Sequence, residues 1–187
     1  MSKIVLKGDV MLAPVPAVLV TSSFQGKNNV MTVAWTGVLN SVPPKTYVSV
    51  RKSRYSHELI SKSGEFVINL PNRDLLKATD FCGIISGKAV DKFEKCGLLI
   101  EKGSVVSAPV ISQAPLALEC KVTDVIELGS HDMFVADIVS VVADEGIIDK
   151  NGRADLSKAD IIAYVQGKYY SLGENLGRFG FSVEKKK

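Results

Sequence analysis

The stretch from Leu116 to Ala143 constrains the fold most. Leu116, Leu118, Cys120, Val122, Ile126 and Leu128 share one face of an extended chain. Glu119, Lys121, Thr123 and Glu127 share the other, and Asp124 is the one polar member of the apolar face. A helix would scatter these residues around its axis, whereas a strand sends alternate side chains to opposite faces. Gly129-Ser130-His131-Asp132 then turns the chain. Met133 to Ala143 follows with apolar residues on both faces, as a central or interface strand requires. The pattern predicts a long antiparallel hairpin.

Shorter signals point the same way. Ala17 to Ser23 reads as a strand, Gln25 to Asn29 as its turn, and Val30 to Trp35 as a further extended segment. Thr46 to Arg51 alternates, with Val48 and Val50 on one face and Tyr47, Ser49 and Arg51 on the other. Phe66, Ile68 and Leu70 form another short strand face. Helical patterns are brief: Ser56 to Lys62 stopped by Gly64, Arg73 to Phe81, and Asp91 to Cys96 ending at Gly97. GxGxxG and GxxxxGK[ST] are both missing, and strands do not alternate regularly with helices, which argues against Rossmann and P-loop folds. The expectation is a mainly β chain of one domain over residues 1–187. Its architecture is a closed or partly closed antiparallel barrel with short peripheral helices.

Composition narrows the function classes. Lys plus Arg is 23 against 20 for Asp plus Glu, and the resulting +3 is matched by Lys185, Lys186 and Lys187 alone. The body is therefore near neutral, which speaks against a nucleic-acid surface. A hydrophobic content of 46% with 23% charged residues excludes a disordered chain. Cys82, Cys96 and Cys120 are 14 and 24 residues apart, so no CxxC pair exists for zinc or thioredoxin-like chemistry, and a reducing compartment suits them. The apolar run Met11 to Val20 is interrupted by Pro14 and Pro16 and is too short for a bilayer span. A cytoplasmic protein without membrane, nucleic-acid or metal partners is expected.

Three polar stretches are candidate sites. Arg51-Lys52-Ser53-Arg54-Tyr55-Ser56-His57 follows a strand and enters a short helix. Its cations, hydroxyls and open backbone N–H groups can converge on a phosphate. A solvated loop, with His57 packing its helix, fits the same residues. In Cys82 to Lys92, Gly83 and Gly87 let backbone approach a ligand, and Lys88 and Lys92 can oppose an anion. Asp91 as a helix cap and Cys82 as a buried thiol are the structural alternatives. Asn29-Val30-Met31-Thr32-Val33-Ala34-Trp35 can present backbone groups and the Thr32 hydroxyl to a flat heterocycle, or can simply be core.

In order and spacing, these stretches resemble the flavin reductase-like proteins with the FMN-binding split-barrel fold, most closely the flavoredoxin-type branch. The similarity begins at Pro14-Val15-Pro16-Ala17-Val18-Leu19-Val20. It runs through Asn29 to Trp35, Lys52 to Ile60, Gly64-Glu65-Phe66-Val67-Ile68-Asn69-Leu70, Cys82-Gly83, Ser86-Gly87-Lys88 and Asp91-Lys92-Phe93. Leu118-Glu119-Cys120, the Gly129-Ser130-His131 turn, and the segments Gly167 to Glu174 and Gly177 to Ser182 complete it.

The resemblance implies FMN at the interface of a homodimer. Asn29, Val30, Met31 and Thr32 would meet the isoalloxazine edge. Arg51, Lys52, Ser53, Arg54, Ser56 and His57 would surround the phosphate and ribityl chain. Cys82, Gly83, Ser86, Gly87, Lys88 and Lys92 would close the pocket. Thr32 and His131 are the expected catalytic residues, the first near the flavin edge and the second on the nicotinamide side. Many relatives carry Gly-Asp-His where this chain has Gly129-Ser130-His131-Asp132. The implied activity carries electrons from NADH or NADPH through FMN to a flavin, a ferric chelate, a redox protein or another small-molecule acceptor. An FMN-binding electron carrier without nicotinamide turnover is the alternative. The extension from about residue 160 would cover the flavin or complete the dimer, or would be an ordered tail whose tyrosines pack on the barrel.

Overall fold

The computed structural model describes residues 1–183, and the Lys185–Lys187 cluster lies outside the described residues. In chain order the strands are β1 (Val15–Pro16), β2 (Val18–Phe24), β3 (Lys27–Val33), β4 (Thr36–Ser41), β5 (Pro44–Arg51) and β6 (Glu65–Leu70). They continue with β7 (Ile100–Glu101), β8 (Val110–Ile111), β9 (Leu116–Glu127), β10 (His131–Ala143), β11 (Ile162–Val165) and β12 (Lys168–Ser171). The helices are α1 (Tyr55–Ser63), α2 (Leu76–Ile84) and α3 (Lys92–Cys96).

Seven strands form one antiparallel sheet in the order β3-β2-β6-β9-β10-β5-β4. Its edge strands, β3 and β4, are consecutive in the chain and joined only by Ala34-Trp35, so the sheet must curl until its edges meet. The core records that closure. Val20 and Met31 from one side of the sheet pack in the same cluster as Val48 and Val50 from the other, around Ile60, Phe66, Cys120 and Phe134. The Trp35 carbonyl accepts from the Ser49 amide at 2.9 Å, which carries the β4–β5 ladder one residue back towards β3.

The long hairpin is present as β9–β10, with Asp132 facing Glu127 and Ala143 facing Leu116. Phe134 and Ala136 point into the core, while Val139, at a register shift, and Val141 beyond it are exposed. The Gln25 to Asn29 turn is tighter than expected. Gln25 and Gly26 alone make it, both at positive φ, and β3 starts at Lys27.

Glu119 sits on the polar face of β9 yet is fully buried. The loop after β7 folds over it, and its carboxylate accepts the amides of Ser104 at 3.0 Å, Val105 at 2.8 Å and Val106 at 3.0 Å.

A second core lies outside the barrel, where α2 and α3 cover Leu19 and Val30 with Leu75, Ala78, Cys82, Phe93 and Leu98. A small sheet, β1-β11-β12, carries the C-terminal hairpin back to the start of β2. Among the described residues no helix is long and apolar enough to cross a membrane.

Candidate functional site

Helix α1 begins at the end of β5, and no side chain caps its first turn at Arg54. Its open N–H groups face a cavity of about 420 Å³ between the start of α1 and the end of α2. Asn29, Met31, Arg51, Ser53, Arg54, Ser56, Cys82, Ser86, Gly87 and Lys92 line it, all of them expected from the sequence. Tyr55 and Ile85 line it too and were not singled out, although both stand inside the stretches that were.

Lys92 defines the chemistry of this cavity. It is 3% exposed, and its Nζ donates to the carbonyls of Cys82 at 3.1 Å and Ile85 at 3.2 Å. Among the described residues no carboxylate pairs with it or with Arg54. Burial pushes its ammonium below the ordinary lysine range. The Cys82 thiol opposes that shift and the Arg54 guanidinium adds to it. Two cations held together without a carboxylate form a cavity wall that an anion can pair with.

The opposite wall is built for close approach. Asn29 is buried and its Nδ2 donates to Ser56 Oγ at 2.8 Å. A Cβ on Gly87 would stand 1.9 Å from Asn29 Oδ1, so only glycine lets the loop lie against that amide.

Met31, Arg51 and Arg54 continue into a second cavity of about 130 Å³, lined also by Thr32, Val33, Ala34, Trp35, Ser49, Val50 and His131. Here β3 is a sheet edge, and alternate residues present unpaired N–H and C=O groups. Ser49 belongs to the same face of β5 as Arg51, which its alternation already indicated. His131 faces Arg51 across β10–β5, and its Nδ1 is 2.8 Å from Ser130 Oγ. Burial, and then the Arg51 charge, lower its pKa below the ordinary histidine value, so the neutral ring prevails at pH 7.

Thr32, Ala34 and Trp35 lead into a third cavity of about 280 Å³, walled by Gly83 and by the β11–β12 hairpin. Tyr164 and Tyr169 meet edge to face at 5.6 Å, and the Tyr169 hydroxyl donates to Asp80 at 3.2 Å. Burial and then Asp80 push the Tyr169 phenol up to about 12. The extension therefore packs against α2 through Tyr169, while Tyr170 is exposed.

Four of the expected cofactor residues, Val30, Lys52, His57 and Lys88, line none of these three cavities. The Val30 side chain is buried beneath α2, leaving only its backbone for a ligand. Lys52 Nζ is 2.8 Å from Glu127 and 3.5 Å from Asp132, so its charge is already paired. His57 Nε2 is 2.7 Å from Asp132 and its ring packs on Phe134. Lys88 is exposed, 3.7 Å from Glu58 and over the Tyr55 ring. Thr32 lines the second cavity, but its hydroxyl donates to the Thr79 carbonyl. The one hydroxyl proton is thereby engaged, and stabilising donors there are backbone amides.

A curled antiparallel barrel with a cation-lined cavity at one end of a sheet edge suits a phosphate-bearing, flat cofactor. The chain belongs to the family described as "flavin reductase like domain", whose model matches residues 11–173. It is similar to the flavoredoxin of Desulfovibrio vulgaris (Miyazaki F), with 32% identity and a TM-score of 0.91 over 98% of this chain and 100% of that one. A flavoredoxin from Methanosarcina acetivorans is alike at 31% identity and a TM-score of 0.90, with the same coverage. The FMN reductase (NADH) RutF of Pseudomonas syringae pv. syringae is 25% identical over 154 residues, 82% of this chain and 78% of that protein. The fold is a split barrel, as in the "putative flavin reductase with split barrel domain" from Shewanella frigidimarina, with 24% identity and a TM-score of 0.81 over 90% of this chain and 86% of that one.

Proposed function

We propose that this protein is an FMN-dependent oxidoreductase that carries electrons from NADH or NADPH to a flavin, a ferric chelate or a protein acceptor. The observation that carries the reading is the buried Lys92 beside Arg54, both lacking a carboxylate among the described residues and both facing one cavity. A phosphate satisfies that arrangement, and the absence of a side chain at Gly87 lets its loop close against Asn29 at the cavity wall. FMN, when bound, supplies two-electron chemistry that the side chains themselves do not.

The chain's residues have separable roles. Lys92, Arg54, Ser53 and Ser56 hold the phosphate. Asn29, Met31 and the free edge of β3 hold the ring system, with backbone amides supporting negative charge on its polar edge. His131, neutral at pH 7, orients the nicotinamide amide from the second cavity. The protein acts as a homodimer. Trp35, Val38, Leu39 and Val42 around β4, and Val139 and Val141 on β10, are the apolar surface that a second copy would cover.

A second reading, an electron carrier without nicotinamide turnover, is favoured by the likeness to flavoredoxins over 98% of the chain, extension included. Anaerobic mixing of the FMN-loaded protein with NADH or NADPH separates the two. Rapid bleaching of the flavin band is expected. Bleaching by another donor but by neither nicotinamide would replace the reductase with the carrier, and a protein that takes up no FMN would sink both.

A further inference from the structure

The third cavity, of about 280 Å³, differs in charge from the other two. Arg51, Arg54 and Lys92 line the first, and Arg51, Arg54 and His131 the second. No Lys, Arg or His lines the third, and its one carboxylate is Asp80. Asp80 stands on α2, is exposed, and accepts from the Tyr169 hydroxyl at 3.2 Å. Among the described residues no cation pairs with it.

Three aromatic residues, Trp35, Tyr164 and Tyr169, share this lining. Tyr164 and Tyr169 face each other across the β11–β12 ladder and meet edge to face, with ring centroids 5.6 Å apart and planes at 63°. In that arrangement both faces of the edge-on ring stay clear of the other ring, and an aromatic face carries partial negative charge. Trp35 is exposed and joins no ring pair among the described residues. Ala17, Ala34 and Ile84 add apolar surface. Thr32 adds little polarity, because its hydroxyl donates to the Thr79 carbonyl. The cavity thus combines a carboxylate, aromatic rings and methyl-sized apolar patches with no positive charge. An anion is repelled there, and a neutral ligand leaves the carboxylate unused. A cation clothed in methyl groups matches all three.

We propose that the third cavity binds a small organic cation, a quaternary ammonium ion of the size of choline. Asp80 attracts the charge, and Trp35, Tyr164 and Tyr169 take the methyl groups against their rings. The Tyr169 hydroxyl holds Asp80 in place, so the β11–β12 hairpin has a binding role as well as a packing one. The site shares Thr32, Ala34 and Trp35 with the second cavity and no residue with the first. A phosphate at Lys92 and a cation at Asp80 can therefore be held together.

The test titrates the whole protein with choline, by calorimetry with and without FMN and by the emission of Trp35, the chain's only tryptophan. Saturable binding is expected in both flavin states, with a Kd of about 1 mM or below. Dimethylbutanol, the uncharged analogue with carbon in place of the nitrogen, should bind at least about tenfold more weakly. Asp80→Asn keeps an oxygen for the Tyr169 hydroxyl but removes the charge. It should weaken choline about tenfold and leave the alcohol unchanged. Tyr164→Leu should weaken choline as well. The proposal is overturned by a lack of saturable binding up to about 10 mM. Equal affinity for choline and the alcohol, or wild-type choline binding by Asp80→Asn, also overturns it. So does choline binding that FMN abolishes, because the cavity would then belong to the flavin. A protein that binds choline as expected but takes up no FMN would overturn the flavin reading alone.

Discussion

His57 Nε2 lies 2.7 Å from Asp132 Oδ2, which ties the helix after the anion loop to the strand that carries His131. The His57 ring also meets Phe134 edge-on at 5.2 Å. Asp132 and Glu127 between them engage His57 and Lys52, so the arginine loop is braced by the β9–β10 hairpin. His57 accordingly positions the cavity and does not line it.

His57→Phe separates bracing from binding. The aromatic contact with Phe134, an interaction of about 0.5–1.5 kcal/mol, survives while the Asp132 partner is lost. Thermal stability should fall, and FMN affinity should stay within about threefold, or roughly 0.7 kcal/mol. Fluorescence titration that finds a tenfold weaker Kd in a folded His57→Phe would place the imidazole on the cofactor.

Glu119 sets part of the acid limb of stability. Burial raises its pKa, but the Ser104 hydroxyl and the amides of Val105, Ser104 and Val106 outweigh it, and the folded-state pKa lies below the ordinary 4.5. A depressed carboxyl contributes stability above its unfolded pKa, and that contribution is lost as pH falls through the folded one. Glu119→Gln should cost about 1–3 kcal/mol near neutrality, because the amides lose a charged acceptor. It should also flatten the decline in stability below about pH 4.5. Urea titrations at several pH values check both, and a mutant with the wild-type pH dependence would contradict the account.

Arg54 and Lys92 are assigned to the phosphate, so their loss should discriminate between flavins. Arg54→Ala or Lys92→Met should weaken FMN by about 1.5–3 kcal/mol, the value of a hydrogen bond to a charged group. Riboflavin, which has no phosphate, should lose far less. Equal losses for the two ligands would remove both residues from the phosphate.

Gly87→Ala tests the cradle without changing charge. The added Cβ must displace the Asn29 amide, which is buried and bound to Ser56. Overpacking of this kind costs about 1–3 kcal/mol. The loss should appear in FMN affinity, and Asn29→Ala in the same chain should relieve the clash. A lone Gly87→Ala that binds FMN normally would show that the loop moves freely.

The sequence made β9 and β10 legible because an apolar face repeated every second residue over a long stretch. Strand β4 was not legible: Val38, Leu39 and Val42 in and beside it are exposed, so no buried face imposes a period. The anion loop and its glycine were visible as local composition. Which of its cations were free was not, since Lys52 and His57 are taken up by Glu127 and Asp132, 75 residues away. The burial of Glu119 was hidden for the same reason. Alternation describes a strand's own faces, whereas burial of Glu119 depends on a separate loop folding over it.

His131 carries the most direct test of nicotinamide use. It lines the second cavity with Thr32, Trp35 and Arg51, apart from Lys92 at the phosphate end. His131→Ala should therefore leave FMN affinity nearly unchanged. A lost hydrogen bond to the nicotinamide amide should slow reduction by NADH or NADPH by about 1–2 kcal/mol, roughly 5–30-fold in rate per unit nicotinamide concentration. Dithionite reduction should be far less affected. The pH dependence has a defined sign. Burial and Arg51 lower the His131 pKa below 6.5, so the neutral ring serves through pH 7, and wild-type reduction slows only as pH falls below that lowered value. The mutant should lose this acid limb together with the rate. Anaerobic stopped-flow absorbance at the oxidised flavin band reads both. A mutant that matches wild type with both nicotinamides across this pH range would leave His131 as a turn residue, held by its contact with Ser130.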